Sequence, residues 1–303
     1  MKKSENNVTF LFPVFNDFVS LEIMINQVEM EAKKYKSLNR INFLVVDDGS
    51  ELESFNNFMI KFKKKNNLKV LSTHMRSGSQ RTILFGIRHL DLQKTKNSLI
   101  VLDSDGEDLA TDAVYLANEL VEGDRDSIIQ VERGVRKSGA IFQISYFFYK
   151  KLFRLMVGKK NPPGNFMAVP NLRIKDILNY PGIDKHIASS IMKFSPNVDI
   201  IKFNRGKRIQ GSSKMNFSSL FVHAYGALSV FADVIFTRIV VGISAVLIGL
   251  TLLGSSLFVL KIMNWIPAIP GWTSISLLLV LSSVFIVGTN IVLLMLLMVK
   301  LEK

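Results

Sequence analysis

The stretch SLIVLDSDGED, residues 98–108, decides the fold class of this 303-residue chain. Its first half reads as a buried β-strand, whereas its second half contains four acidic residues. Similar strand patterns occur at 8–15, 41–46, 68–72 and 127–131, and helical patterns separate them at 19–35, 51–65, 79–90 and 110–121. This alternation predicts an α/β fold, Rossmann-like, in which right-handed crossovers build a mostly parallel sheet.

Polar turns follow two other predicted strands, namely FPVFND at 12–17 and DDGS at 47–50. Taken alone, an Asp-Gly turn or an acid before a helix is an ordinary structural signal. In a parallel sheet, however, the carboxyl ends of the strands meet at one edge, where ligands bind. A cluster of carboxylates there favours a divalent cation, and oxygen ligands favour Mg²⁺ or Mn²⁺. Asp103 and Asp105 are the candidate metal ligands.

The same edge is predicted to carry cationic and amide groups. Arg76 and Gln80 lie in RSGSQR at 76–81, and Arg133 and Arg136 follow the fifth strand. A helix that begins near Ser79 offers N-terminal amides to an anion. Together these features predict a diphosphate site. No Walker-type loop is present and no Gly-x-Gly-x-x-Gly follows the first strand, so phosphoryl transfer from ATP and dinucleotide redox chemistry lack their usual signatures.

Hydropathy and charge separate along the chain, which is 48% apolar and carries a net charge of +13. Residues 239–260 and 272–299 contain no charged side chain, and at about 1.5 Å per residue each crosses a hydrocarbon core of roughly 30 Å. Residues 264–272, where the two stretches are joined, hold two prolines and two tryptophans. The pattern predicts a transmembrane hairpin with spans at about 239–260 and 273–299.

The absence of cysteine excludes a disulfide scaffold, thiolate zinc sites and cysteine nucleophiles.

The cations predict how the hairpin is oriented. They precede the first span and follow the second, and the connection contributes only Lys261; the flanking set is Lys202, Arg205, Lys207, Arg208, Lys214, Arg238, Lys300 and Lys303. The positive-inside bias therefore predicts a two-span protein of the cell membrane with both termini and the first domain on the cytoplasmic side. The cations adjoin the predicted spans, which disfavours nucleic acid as their partner.

An apolar stripe recurs at three- and four-residue steps from Phe217 to Ile235. It predicts an amphipathic helix that lies in the membrane interface, and a core helix of the first domain is the alternative. We therefore expect three regions: a catalytic domain over 1–210, a juxtamembrane helix over 211–237 and the hairpin over 238–303.

At these residues the sequence resembles a known family. FPVFND at 12–17, VVDDGS at 45–50 and Asp103-x-Asp105 resemble the family-2 glycosyltransferases of GT-A fold. The GSSK turn at 211–214, the amphipathic helix and the two spans are similar to the polyprenyl-phosphate glycosyltransferases, relatives of dolichol-phosphate mannose synthase.

The resemblance implies roles for individual residues. Pro13, Asn16 and Asp48 would border the nucleotide, and Asp103 and Asp105 would hold the metal that bridges the nucleotide diphosphate. Phosphate on the donor or the acceptor would be bound by Arg133 and by the basic run that contains Arg205, Arg208 and Lys214.

Two positions depart from the family pattern. Glu107 replaces a glutamine, which adds negative charge beside the predicted metal, and Asn165 stands where relatives often have an aspartate near the acceptor. Asparagine cannot act as a general base. A lipid monophosphate has its second pKa near 6 and is largely ionised at neutral pH, so such an acceptor needs little deprotonation. We therefore expect inverting transfer from a nucleotide sugar to undecaprenyl or dolichyl phosphate.

Two other functions remain open. One is transfer to a hydroxyl of a lipid-linked sugar or glycan, with Asp108 or another carboxylate as base. The other is a catalytically weak homologue that binds a nucleotide sugar or pairs with membrane partners during glycan assembly. A separate expectation is a homo-oligomer that forms through Gly242, Gly249 and Gly254.

Overall fold

The computed structural model describes residues 7–62, 65–93, 97–123, 125–134, 140–211, 217–263, 265 and 270–301. Two of the predicted phosphate-binding residues, Arg136 and Lys214, lie outside the described residues. The chain divides into two compact units, Met1–Phe231 and Ala232–Lys303, which are described separately.

The first unit is built on one seven-stranded sheet with the order β3-β2-β1-β4-β6-β5-β7. Of the described strands, β6 alone runs antiparallel to its neighbours. The mostly parallel α/β sheet is therefore confirmed. The strands are β1 (Val8–Val14), β2 (Ile41–Asp47), β3 (Leu68–Ser72), β4 (Ser98–Val101), β5 (Ile128–Arg133), β6 (Met167–Val169) and β7 (Val198–Phe203).

Helices cover both faces of this sheet. They are α1 (Phe18–Ala32), α2 (Leu52–Phe62), α3 (Ser79–Leu92), α4 (Ala110–Glu122), α5 (Ala140–Val157), α6 (Asn171–Leu178), α7 (Ile187–Phe194) and α8 (Phe217–Ser229). The five predicted strands and four predicted helices agree with the structure to within a few residues. The sequence analysis missed β6, β7, α6 and α7, which are short elements without a long periodic pattern.

The core explains why β1 reads as a continuous apolar run. Phe10 and Phe12 point into an apolar cluster with α1 and α4, whereas Leu11 points into a second cluster with α3 on the opposite face. Both faces of a central parallel strand are buried, so both need apolar side chains. Pro13 costs no ladder hydrogen bond, because the pairing of β1 with β4 ends at Leu11, before the proline is reached.

Helix α8 ends earlier than the predicted juxtamembrane helix. The residues of the predicted apolar stripe also differ in their surroundings, since Phe231 is buried in the first unit whereas Phe221 is exposed. Residues 232–237, which the sequence assigned to this helix, instead begin the next helix. The physical reason is that Phe231 packs edge-on against Phe153 of α5, which fixes it in the core.

The second unit consists of two helices, α9 (Ala232–Ile262) and α10 (Trp272–Leu301). Both are long and apolar enough to cross a membrane, and neither candidate span is buried within the described protein. A Cβ atom added at Gly242, Gly249 or Gly254 would meet nothing within 4 Å. These glycines therefore do not hold α9 against α10, and association of chains through them stays a prediction.

Candidate active site

The loop after β4 places two acidic side chains, Asp103 and Asp108, against Arg133. Arg133 Nη2 donates to Asp103 Oδ2 at 2.9 Å and to Asp108 Oδ2 at 2.5 Å. The backbone N–H of Asp103 also donates to Asp108 Oδ2, at 2.9 Å. The side chain of Asp108 is 0% exposed, whereas that of Asp103 remains partly exposed. Asp108 therefore fixes Arg133 and the start of the loop from the buried side, whereas Asp103 lies on the side that is open to solvent.

A second set of ion pairs closes the other side of this loop. Arg208 Nη2 donates to Asp105 Oδ2 at 2.5 Å, and Arg205 forms an ion pair with Glu107 through Nε and Nη2. The negative charge that Glu107 adds beside the predicted metal site is therefore compensated by Arg205. In this structure Arg205 and Arg208 bind acidic side chains of the site.

Backbone contacts lock the segment that carries these arginines onto the acidic loop. The N–H of Ile209 donates to the carbonyl of Asp105, and the N–H of Gly206 donates to the carbonyl of Glu107, both at 2.9 Å. The approach is close enough that a Cβ at Gly206 would lie 2.4 Å from the carbonyl oxygen of Gly106. Gly106 itself has a φ of +84°, which favours glycine. Two glycines from distant parts of the chain thus permit this contact.

Burial shifts the proton affinities of two acids in the loop. It raises the pKa of Asp108 to about 7, against the opposing effect of the Arg133 guanidinium. It also raises the pKa of Asp105, to which the negative charge of Asp103 adds. A positive charge bound close to these two carboxyl groups would favour their ionised forms and so lower both pKa values.

Asp48 binds the turn that leads into α3, where the sequence predicted a phosphate. Its carboxylate accepts hydrogen bonds from the backbone N–H groups of Ser77 and Gly78 at 2.7 and 3.0 Å and from the Thr82 hydroxyl at 2.8 Å. The protein's own carboxylate therefore binds the amides of the turn before α3, and binding of a phosphate by the first amides of α3 itself stays a prediction. Asp48 is buried, and it positions the turn after β3.

The remaining predicted nucleotide contacts join neighbouring loops at the same edge. Asn16, with a φ of +49°, links the ends of β1 and β2: its backbone N–H donates to Ser50 Oγ and its Oδ1 accepts from the N–H of Glu51, both at 2.8 Å. The carbonyl of Pro13 accepts from Ser104 Oγ at 3.4 Å. The Arg76 guanidinium lies 4.3 Å above the ring of Phe15. The structure thus brings the carboxyl ends of β1 to β4 together, as predicted.

Gln80 connects three elements around Asn165. Its Nε2 donates to Asn165 Oδ1 at 2.5 Å, and its Oε1 accepts from the N–H of Ile187 at 2.8 Å. A Cβ at Gly164, beside Asn165, would lie 3.7 Å from the guanidinium carbon of Arg133. The Asn165 loop therefore borders the acidic site, and the Asn165 amide oxygen is engaged by Gln80.

The sequence analysis missed a histidine pair close to this region. The rings of His186 and His223 lie 4.6 Å apart, and His186 Nδ1 accepts from the N–H of Ser189 as the N-cap of α7. Burial lowers the pKa of His186 to about 3, and it also lowers that of His223, while Asp103 acts in the opposite direction on His223. No local pattern marks two histidines 37 positions apart, so the sequence carried no signal for the pair.

The chain is similar to known proteins in fold alone. No family model and no curated protein matches the sequence. Among solved structures, the chain is similar to mannosyl-3-phosphoglycerate synthase from Rubrobacter xylanophilus, at 13% identity, a TM-score of 0.53 and coverage of 75% of this chain and 73% of that one. It is also similar to glucosyl-3-phosphoglycerate synthase from Mycobacterium tuberculosis in complex with Mn²⁺, UDP-glucose and phosphoglyceric acid. That match has 10% identity, a TM-score of 0.51 and coverage of 76% and 80%.

A mannosyltransferase from Pyrobaculum calidifontis in complex with GDP-mannose and Mn²⁺ also matches, at 15% identity, a TM-score of 0.45 and coverage of 91% of this chain and 86% of that one. The first two likenesses show the fold of the first unit. It is the GT-A-type arrangement of a mostly parallel sheet that the sequence predicted.

Proposed function

We propose that the chain is a nucleotide-sugar-dependent hexosyltransferase that is anchored in a membrane and transfers its sugar to a polyprenyl phosphate. The observation that carries this proposal is the acidic loop at 103–108 with its arginines, at the carboxyl edge of a GT-A-type sheet. Two structural neighbours are hexosyl-phosphoglycerate synthases, one of them solved with a nucleotide sugar, which supports the same class of donor here.

The residues of the loop fit a divalent cation of the Mg²⁺ or Mn²⁺ type. Within the described residues, no group of three or more acidic or histidine side chains forms a protein-only metal site. Such hard cations are commonly held by one or two carboxylates, with substrate phosphates and water completing the shell. We propose Asp103 and Asp105 as those two carboxylates. Each forms an ion pair with an arginine in this structure, so a bound cation would share or replace that positive charge. When bound, the cation would neutralise charge on the departing diphosphate.

The arginines supply hydrogen-bond donors to the same reaction. Among the described residues, Arg133 and Arg208 each keep a buried Nε–H without a hydrogen-bond acceptor, although Arg208 Nε lies 3.9 Å from Glu107 Oε1. Buried donors of this kind favour an anionic ligand, because an unsatisfied donor costs free energy. We propose that these guanidinium groups bind phosphate oxygens and stabilise the charge that develops on the leaving nucleotide diphosphate.

The environment of the candidate bases favours a phosphate acceptor over a sugar hydroxyl. Asn165 cannot remove a proton, and the Asp108 carboxylate is fully buried beneath Arg133, which favours a positioning role over that of a base. An acceptor phosphate is already ionised, so the site has only to orient it toward the sugar carbon and exclude water. The two apolar helices α9 and α10 support a lipid-borne acceptor, since they would keep the domain beside its substrate.

The test uses the purified full-length chain, radiolabelled nucleotide sugars and a polyprenyl phosphate in nanodiscs, with Mn²⁺ or with a chelator. We expect label in the lipid fraction that depends on the metal. Asp105→Asn should lower turnover by about 10²–10³-fold, the usual cost of one electrostatic contact to a developing charge. Asp176→Asn, on the distant helix α6, is the matched control and should retain activity.

Label on glycan hydroxyls but never on lipid phosphate would contradict the proposed acceptor. If Asp105→Asn still supported glycan assembly as well as the unsubstituted chain, the binding or scaffold function would be favoured instead.

A further inference from the structure

Gln80 fixes the orientation of the Asn165 side-chain amide. The backbone N–H of Ile187 can only donate, and it donates to Gln80 Oε1 at 2.8 Å. The other end of the Gln80 amide, Nε2, can also only donate, and it donates to Asn165 Oδ1 at 2.5 Å. One backbone group therefore sets the orientation of two side-chain amides in sequence, and it turns the Asn165 Nδ2 group away from Gln80.

The backbone on both sides of Asn165 is also held in place. The side chain of Phe166 is buried, and its carbonyl accepts from the N–H of Val131 in β5 at 3.0 Å. On the other side of Asn165, a Cβ at Gly164 would lie 3.7 Å from the guanidinium carbon of Arg133, the last residue of β5. The Asn165 amide is thus held close to a guanidinium group that we propose to bind phosphate.

The Asn165 Nδ2 group is available to a ligand. It donates to no acceptor within the part of the chain that the structure describes, and the Asn165 side chain is only half-buried. The group carries two N–H donors, whereas an ionised aspartate at this position would offer acceptors alone. Free N–H donors beside a guanidinium group suit a negatively charged oxygen, because hydrogen bonds to ionised acceptors are stronger than those to neutral ones.

We propose that Gln80 is a positioning residue that makes Asn165 a hydrogen-bond donor, and that Asn165 Nδ2 binds a phosphate oxygen of a substrate. The lipid phosphate and the nucleotide diphosphate both present such oxygens. The inference rests on the proposed function, from which it takes these two substrates. Gln80 itself needs no contact with either of them.

The side-chain amide signal of Asn165 in nuclear magnetic resonance tests binding without turnover. The full-length chain is prepared in detergent micelles with asparagine enriched in the heavy nitrogen isotope, and Asn165→Asp identifies the signal by its loss. Farnesyl phosphate is the probe for a lipid phosphate, inorganic pyrophosphate is the probe for the diphosphate, and farnesol is the uncharged control.

We expect the Asn165 signal to move with at least one phosphate probe and not with farnesol. The probe that moves it identifies which substrate supplies the phosphate. A signal that neither phosphate probe moves, or that farnesol moves equally, would overturn the proposal.

Kinetics of Asn165→Leu measure the contribution of the donor. The KM for the substrate identified by the probes should rise about 10–100-fold, the usual cost of losing one hydrogen bond to a charged group, and kcat should change less. Asn165→Asp should raise the same KM at least as much, because its carboxylate repels phosphate. Faster transfer by Asn165→Asp would overturn the proposal, because it would show that this position serves a base.

A double-mutant cycle tests whether Gln80 acts through Asn165. Gln80→Met should raise the same KM about 3–10-fold, because the released amide then also adopts the opposite orientation, and it should have no further effect in an Asn165→Leu background. The matched control is Gln93→Met, at the exposed C-cap of the same helix, which should leave this KM unchanged. Equal effects of Gln80→Met in both backgrounds would refute the positioning role.

The two readouts separate this inference from the proposed function. If the unsubstituted chain transferred sugar to no polyprenyl phosphate, the proposed acceptor would be wrong. The response of the Asn165 signal to the two phosphate probes would still decide whether this amide binds phosphate.

Discussion

Glu107 is an acidic side chain of the site whose charge is compensated by a neighbouring arginine. Its carboxylate lies in an ion pair with Arg205, and both side chains are largely buried. In a site of this kind, the cost of removing one partner comes mainly from the charge that is left behind. The glutamate and the arginine therefore belong together as a unit.

A double-mutant cycle tests this unit. Glu107→Gln should lower the free energy of unfolding by about 1–3 kcal/mol, because Arg205 then keeps a half-buried, unpaired charge. Glu107→Gln combined with Arg205→Gln should recover part of that loss. Thermal and denaturant unfolding of the four proteins in detergent measures the coupling. Additive losses would show that the two side chains do not stabilise each other.

The buried His186 predicts a dependence of stability on pH. Its pKa is lowered from 6.5 to about 3 by burial first and by His223 second. As the pH falls from about 6.5 toward 3, the unfolded chain binds a proton at this position that the folded chain does not bind. The free energy of unfolding should therefore decrease as the pH falls through that range. Above about pH 6.5, His186 is neutral in both the folded and the unfolded chain, so it should cause no change of stability with pH.

His186→Asn isolates this effect, since asparagine also caps helices well. Unfolding curves measured across the acid range should decline less steeply for the variant than for the unsubstituted chain. Parallel curves for the two proteins would contradict the assignment.

At the scale of the elements, the site depends on the close contact between the acidic loop and the segment after β7. This segment brings Arg205 and Arg208 to the loop, and Gly206 is the residue that permits the approach. An added Cβ at Gly206 would clash with the carbonyl oxygen of Gly106. That oxygen belongs to the backbone, which cannot move aside as easily as the end of a side chain.

Gly206→Ala should therefore destabilise the fold by about 1–3 kcal/mol and reduce transfer activity as well. The control is Gly134→Ala, on the neighbouring strand end, where an added Cβ would make only ordinary contacts at 3.7 Å and beyond. Unfolding and transfer assays of both variants measure the difference. A Gly206→Ala protein as stable and active as the control would show that the two segments separate without loss.

At the scale of the whole molecule, the chain combines a GT-A-type domain with two helices that are apolar along their length. The distribution of cations predicts that the first unit lies on the cytoplasmic side and that the connection between α9 and α10 lies outside. The chain lacks cysteine, so a single introduced thiol reports its own location.

Labelling with a membrane-impermeant maleimide measures this topology. In intact cells, Trp265→Cys between α9 and α10 should react, whereas Lys159→Cys in the first unit should react only after permeabilisation. The reverse pattern would contradict the proposed orientation.

The sequence alone determined the alternation of strands and helices, the edge of the sheet that carries the acids, and the presence of two long apolar helices. These features depend on local periodicity and hydropathy, which a single chain displays directly. The short elements β6 and α7 escaped prediction because three to eight residues carry too little periodic signal.

Only the tertiary structure decided which charges meet. Asp105 and Arg208 are 103 residues apart, and Asp48 binds the backbone of the turn that precedes α3. Such contacts depend on how distant loops and helices pack, which the order of residues along the chain does not express.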